Sequence, residues 1–298
     1  MELYHHFMDD EAEFFFMSAG AVAARPNFMG YTLSSPYLMT EALALSAVHL
    51  SMRDPSRGPM LREVAANLQT EALQIFNESV KEITADNVVP AFLYSGIMAL
   101  HFFCDTFSTP HENLDVFLDR LVQSIKLMRG IRAIIGRWWE FLLNSDIKGL
   151  ILDGQQRLEV AEASTQKNDT VLQFEHLCDR IGASENLDPS EREICQEAVR
   201  QCIIVLMSEL EATAVAGNPN PRTVTSWPVI VSAEYVNLLV QRKPEALVIL
   251  AYYAVLLHRC RNFWVVGNGG PLLFDTVEKY LGPESDPWLI WPKSVIYS

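Results

Sequence analysis

The sequence predicts an all-α protein, and three observations predict it. Apolar residues recur at helical spacing between recognisable caps. No segment alternates apolar and polar residues with the period of two that a half-buried strand shows. Several runs are apolar on every face. The third observation is the sharpest: Ala246–Leu257, "ALVILAYYAVLL", is twelve apolar or aromatic residues without a charge. A surface helix needs a polar face, and a bilayer helix needs about twenty apolar residues. A helix of this kind has to be surrounded by other helices.

The remaining elements follow in chain order. "SPYLMTEALALSAVHLSMRDP" has Ser35 as a cap, Pro36 at the first helical position and Pro55 as the stop. "MLREVAANLQTEALQIFNESVKEI" places Leu61, Val64, Leu68, Ala72, Ile75 and Val80 on one stripe opposite its charges. "VVPAFLYSGIMALHFFCDTF" is nearly all apolar, but its Pro90, Ser95, Gly96, His101 and Asp105 fit a buried helix rather than a bilayer one. "ENLDVFLDRLVQSIKLMRG" is amphipathic and is expected to stop at Gly130, with one or two short helices in "IRAIIGRWWEFLLNSDIKGLI" after it. The polar run over 152–169 reads as an exposed connection. "TVLQFEHLCDRIG" and "DPSEREICQEAVRQCIIVLMSELEAT" are helices, the second announced by Asp188, Pro189 and an acidic first turn. "AGNPNPRTVTSWP" is the clearest loop. The expectation is a single multi-helix domain over 1–298 with an apolar cavity in its C-terminal half.

Composition narrows the partners. Of 298 residues, 49% are apolar and 20% charged, far from a disordered composition. The net charge of −14 argues against direct nucleic-acid contact, because the longest basic cluster is only Arg129, Arg132 and Arg137. Cys104, Cys178, Cys195, Cys202 and Cys260 contain no C-x-x-C pair and read as reduced, buried thiols. Cys195 and Cys202 share a helix face, but two ligands do not make a zinc site. The N-terminus puts acids ahead of its short apolar run, unlike a signal peptide, and no run forms a membrane span. The protein is expected to be soluble and intracellular, cytoplasmic or nuclear.

No catalytic constellation emerges. His49, His101 and His258 each sit in an apolar helix and read as satisfied structural histidines, and the adjacent His5 and His6 make a poor metal pair. No metal set, cofactor motif, Gly-x-Ser-x-Gly or Cys/His nucleophile signature is present. "GNGGP" at Gly267–Pro271 lacks the Lys-Ser/Thr of a phosphate loop and reads as a hinge, or a flap, with Pro271 opening the next helix.

The blocks "ELYHHF" at 2–7, "SPYLMTEALALSAVHL" at 35–50, "LMRGIRAIIGRWWEFL" at 127–142 and the long stretch from Trp227 to Pro292 are carried in the same order by a known family. The chain resembles the C-terminal effector domain of fungal zinc-cluster transcription factors, of the sterol-uptake-control type. The resemblance implies an α-helical domain that senses a lipophilic molecule in an apolar cavity, self-associates and moves between cytosol and nucleus. The six-cysteine DNA-binding module of such factors has no counterpart in the spacing here, which leaves either an excised domain or a gene without its DNA-binding half.

The expected ligand contacts are Tyr252 or Tyr253, Leu256, Phe263, Trp264, Leu273 and Phe274, around a cavity at Gly267–Gly270, with Met98 and Phe102 opposite. Tyr252 and Tyr253 point about 100° apart, so only one of them faces any one cavity. The apolar segments Ala91–Phe103 and Cys202–Leu210 are the expected neighbours of Ala246–Leu257. A homodimer is expected, with Phe14–Met17 covering an apolar patch. The function expected is binding of a sterol- or terpenoid-like molecule. The alternative is the same scaffold acting as a cofactor-free cyclase, pericyclase or isomerase on a polyene or terpenoid in secondary metabolism, through proximity and carbonyl polarisation.

Overall fold

In the computed structural model the protein is built from helices, with no strand among the described residues. The structure describes residues 1–14, 19–108, 114–163, 168–216 and 221–298. Of the dimer patch expected at Phe14–Met17, Phe15 to Met17 and the side chain of Phe14 lie outside the described residues, as does the side chain of Arg132.

The helices in chain order are α1 (Glu2–Phe14), α2 (Ala19–Ser34), α3 (Pro36–Arg53), α4 (Gly58–Ser79), α5 (Val88–Ser108), α6 (Leu114–Leu143) and α7 (Lys148–Ala163). They continue with α8 (Asp169–Gly182), α9 (Pro189–Ala216), α10 (Trp227–Ile230), α11 (Ala233–Val240), α12 (Pro244–Arg259), α13 (Gly269–Leu281) and α14 (Asp286–Ile296). Two compact units result, one from residues 1–105 with 130–156 and the other from 106–129 with 157–298.

In the first unit α3 packs on α4 through an aromatic cluster. Phe76 stacks on Tyr94 at 4.6 Å between ring centroids, and Tyr37 meets both rings edge-on at 5.2 and 5.4 Å. Three contacts fasten α1 to its neighbours. Glu2 pairs with both terminal nitrogens of Arg57 at 2.6 and 2.7 Å, His6 meets His49 at 3.2 Å, and Phe7 packs near Phe28. The α6–α7 turn is tied to α2, since Asn27 Nδ2 and Tyr31 Oη both donate to Asp146 at 3.1 Å. Val88–Ser108 is long and apolar enough to cross a membrane, yet 61% of its apolar window is buried inside the protein, as in a core helix.

In the second unit, local sequence sets the joints around α12. Asp188 and Glu191 exchange bonds between side chain and backbone at 2.9 and 3.1 Å, a capping box that starts α9 where the Asp-Pro signal predicts it. At the end of α11 the amides of Lys243 and Arg242 bond back to Leu238 and Leu239, both at 3.0 Å, with Arg242 at φ 57°. This is the six-to-one, five-to-two closure that normally takes glycine. Arg242 holds it through an ion pair to Asp119 at 2.6 Å. Pro244 then opens α12 immediately.

Three expectations are corrected. The helix expected to stop at Gly130 runs on to Leu143, with a non-helical residue at Trp138 (φ −114°, ψ 18°). One interior glycine costs a helix only about 1 kcal/mol relative to alanine, which good helix formers on both sides outweigh. Pro271 is the third rather than the first residue of α13, where its missing N–H is still one of the unpaired donors of a first turn. The polar run read as an exposed connection is helical as far as Ala163, and 164–167 lie outside the described residues.

Candidate functional site

Helix α12 is the centre of the second unit. Every residue from Glu245 to Leu257 is buried, and α9, α11, α13 and α14 pack around it. Its acidic first turn is fixed by two donors from the α8–α9 connection. Ser184 Oγ and Asn186 Nδ2 both donate to Glu245 Oε1, at 2.6 and 3.3 Å. A carboxylate there also faces the positive end of the helix dipole. At the other end, Arg259 clamps the nearly buried Glu209 of α9 with two bonds of 2.9 and 3.3 Å.

The two tyrosines diverge, as their angular spacing requires. Tyr253 is fully buried, stacks on Trp227 at 4.4 Å and donates to the carbonyl of Val224 at 2.9 Å. Trp227 in turn meets Tyr235 and donates to the Ala198 carbonyl at 3.0 Å. On that side of α12 the polar tips are satisfied by backbone. Tyr252 looks the other way, into a box made by Phe174 of α8 (5.4 Å) and Trp291 of α14 (5.1 Å), which also touch one another at 5.8 Å. Arg180 closes the box's neighbourhood, lying 3.9 Å over the Trp288 ring and donating to the Pro287 carbonyl at 3.0 Å. Burial pushes the Tyr252 phenol up to about 12, with the charge of Arg180 opposing, so it stays a protonated donor.

The other expected contacts are placed as follows. Leu256, Phe263, Leu273 and Phe274 are buried, and Trp264 is half-buried. Phe263 and Trp264 lie 6.3 Å apart in the turn after α12, and Phe274 meets Tyr297 edge-on. Met98 and Phe102 lie on α5 in the first unit, both half-buried. Near Gly267–Gly270 the room left by missing side chains is taken up by close packing. A Cβ on Gly270 would stand 2.7 Å from the Ala254 carbonyl and from the His258 nitrogen, and one on Gly269 would stand 2.9 Å from the ring of Phe107. The glycines let α13 lie directly against the backbone of α12.

Phe174, Trp291, Arg180 and Trp288 are absent from the residues expected at a site. They come from helices far from α12 in sequence, and "TVLQFEHLCDRIG" carries only the amphipathic pattern of an ordinary core helix. No group of three or more His, Cys, Asp or Glu able to hold a metal exists among the described residues. Burial pushes the Cys195 and Cys260 thiols up to about 12, and Cys202 further, so all three stay protonated.

The fold and site define an all-α protein whose C-terminal unit wraps aromatic helices around one apolar helix. The sequence is similar to a Zn(2)-C6 fungal-type transcription factor of Gibberella zeae, 24% identical over 237 residues. The match takes in 76% of this chain and 46% of that protein, so the chain spans less than half of its relative's length. This similarity relates the chain to fungal transcription-factor proteins. No family model and no solved structure matches the sequence.

Proposed function

We propose that the protein is the regulatory domain of a fungal zinc-cluster-type regulator, of the sterol-uptake-control branch, and that it binds a sterol- or terpenoid-like molecule. The observation that carries this reading is the Tyr252 face of α12, where a buried, protonated phenol sits among Phe174 and Trp291. A rigid apolar ligand with one hydroxyl or carbonyl needs aromatic walls and a single hydrogen-bond partner. Tyr253 is already committed to the Val224 carbonyl, which leaves Tyr252 as the ligand partner. Leu256, one helical turn on, shares its face. Phe263, Trp264, Leu273 and Phe274 extend the candidate wall. Self-association and passage between cytosol and nucleus complete the reading.

Native mass spectrometry of the protein purified from a fungal host tests it, with a co-bound lipophilic molecule as the expected result. Tyr252→Phe lowers affinity for that molecule about tenfold, the value of one net hydrogen bond of roughly 1.4 kcal/mol, while leaving the unfolding midpoint near that of the wild type. A ligand-free protein, or a Tyr252→Phe variant with undiminished affinity, overturns the reading.

A further inference from the structure

A second buried polar site lies in the first unit and does not rest on the reading of α12. Glu41 of α3 is fully buried and is followed by the apolar run Ala42, Leu43, Ala44 and Leu45. Its Oε1 meets Nδ1 of His101, itself 3% exposed, at 2.8 Å. Its second oxygen, Oε2, is buried without a protein partner, and so is the hydroxyl of Tyr94, a residue 1% exposed. A carboxylate oxygen and a phenol left this way each carry a desolvation cost, which a further hydrogen-bonding group would remove.

Tyr94 and His101 lie seven residues apart on one face of α5. Glu41 stands one turn after Tyr37, whose ring packs edge-on against Tyr94 at 5.4 Å. Burial above all, joined by the charge of Glu41, holds the Tyr94 phenol protonated. Nearby are the packed rings of Tyr37, Phe76 and Tyr94, on α3, α4 and α5, with buried Leu38 and Leu45 on α3 and Ile97 on α5.

We propose that Glu41, His101 and Tyr94 form a receptor for the hydroxyl group of a small neutral alcohol or phenol. The chemistry selects that group. A hydroxyl donates to Glu41 Oε2 and accepts from the Tyr94 hydroxyl, satisfying both with one oxygen. An ammonium has no lone pair for Tyr94, and a carboxylate would repel Glu41. His101 acts as the positioning residue. Its bond to Oε1 fixes the carboxylate plane and directs Oε2 as the acceptor, and the aromatic rings favour a cyclic body on the hydroxyl.

The test uses the intact chain with phenol as the probe and toluene as its hydroxyl-free counterpart, measured by calorimetric titration and thermal unfolding. Phenol raises the wild-type midpoint and binds at least tenfold more tightly than toluene. Tyr94→Phe keeps the ring packing and removes the unpartnered hydroxyl, so the variant folds with an unchanged or higher midpoint and loses about tenfold in phenol affinity. His101→Gln keeps a donor toward Glu41 and retains part of the preference for phenol over toluene. His101→Leu abolishes that preference while toluene affinity is kept. Equal binding of phenol and toluene, or no phenol binding by the wild type, overturns the proposal. A Tyr94→Phe variant of lowered midpoint with unaltered phenol affinity does so as well, because it marks a hydroxyl satisfied by structural water.

Discussion

At the scale of single residues, glycine spacing is the sharpest test of how α13 meets α12. Gly270 faces backbone atoms that cannot move aside, and Gly269 faces the base of the Phe107 ring, which turning the ring does not move but a shift of the side chain can. Gly96 on α5 has nothing within 4 Å of the place an added methyl group would occupy. Gly270→Ala is therefore expected to cost the most, about 3 kcal/mol or more, Gly269→Ala about 1 kcal/mol, and Gly96→Ala to stabilise by about 0.5–1 kcal/mol. Urea unfolding of the three variants checks the order. His258 supplies a pH dependence. Burial lowers its pKa below 6.5, aided by Arg261, and its Nδ1 has no protein partner. The folded state resists protonation that the unfolded state accepts, so this contribution is present above pH 6.5 and is lost as pH falls through the lower folded value. Unfolding midpoints between pH 7.5 and 5, on roughly that range, should fall less steeply for His258→Gln than for the wild type. Of the histidines read as satisfied structural groups, His49 and His101 have side-chain partners, on His6 and Glu41.

At the scale of elements, much was legible in the sequence where the signal was local. The Asp-Pro start of α9, the Ser35–Pro36 start of α3 and the buried character of α12 all rest on neighbouring residues, and each stands in the structure. The divergence of Tyr252 and Tyr253 followed from helix geometry alone. The rest depended on contacts between residues distant in sequence. Gly130 carries no sign of whether a helix stops or continues, and Gly269 and Gly270 look like a hinge until α12 is seen lying against them. Glu41 and His101 are sixty positions apart, so their pairing left no local trace. The α11–α12 joint gives a prediction at this scale. Arg242 holds a left-handed backbone that costs a non-glycine residue about 1–2 kcal/mol, offset in part by its pair with Asp119. Arg242→Ala loses the pair and keeps the strain, whereas Arg242→Gly loses both. Thermal unfolding should therefore rank Gly above Ala by about 1 kcal/mol at this position.

At the scale of the whole molecule, the second unit draws on two separate stretches of chain. The stretch 106–129 contributes the Phe107 ring at Gly269, Asp119 to Arg242, and a bond of 2.7 Å from Arg129 Nε to the Val231 carbonyl. A fragment 157–298 lacks all three. It is expected to melt without a sharp transition by circular dichroism, and a fragment beginning at residue 106 to recover one. Equal cooperativity in both would show that the first stretch is dispensable. The net charge of −14 acts on the chain through self-repulsion, so each comparison of fragments needs a fixed ionic strength.

The crossings between units fall after residues 105, 129 and 156, inside α5, α6 and α7 respectively. For heredity this makes the two units a linked pair. A single recombination event between this gene and a diverged relative cannot exchange one unit whole, because any lone breakpoint between residues 105 and 157 divides at least one of them. Exchanging one unit whole takes a breakpoint at each of the three crossings. Under a single breakpoint the two units are therefore inherited together or divided together.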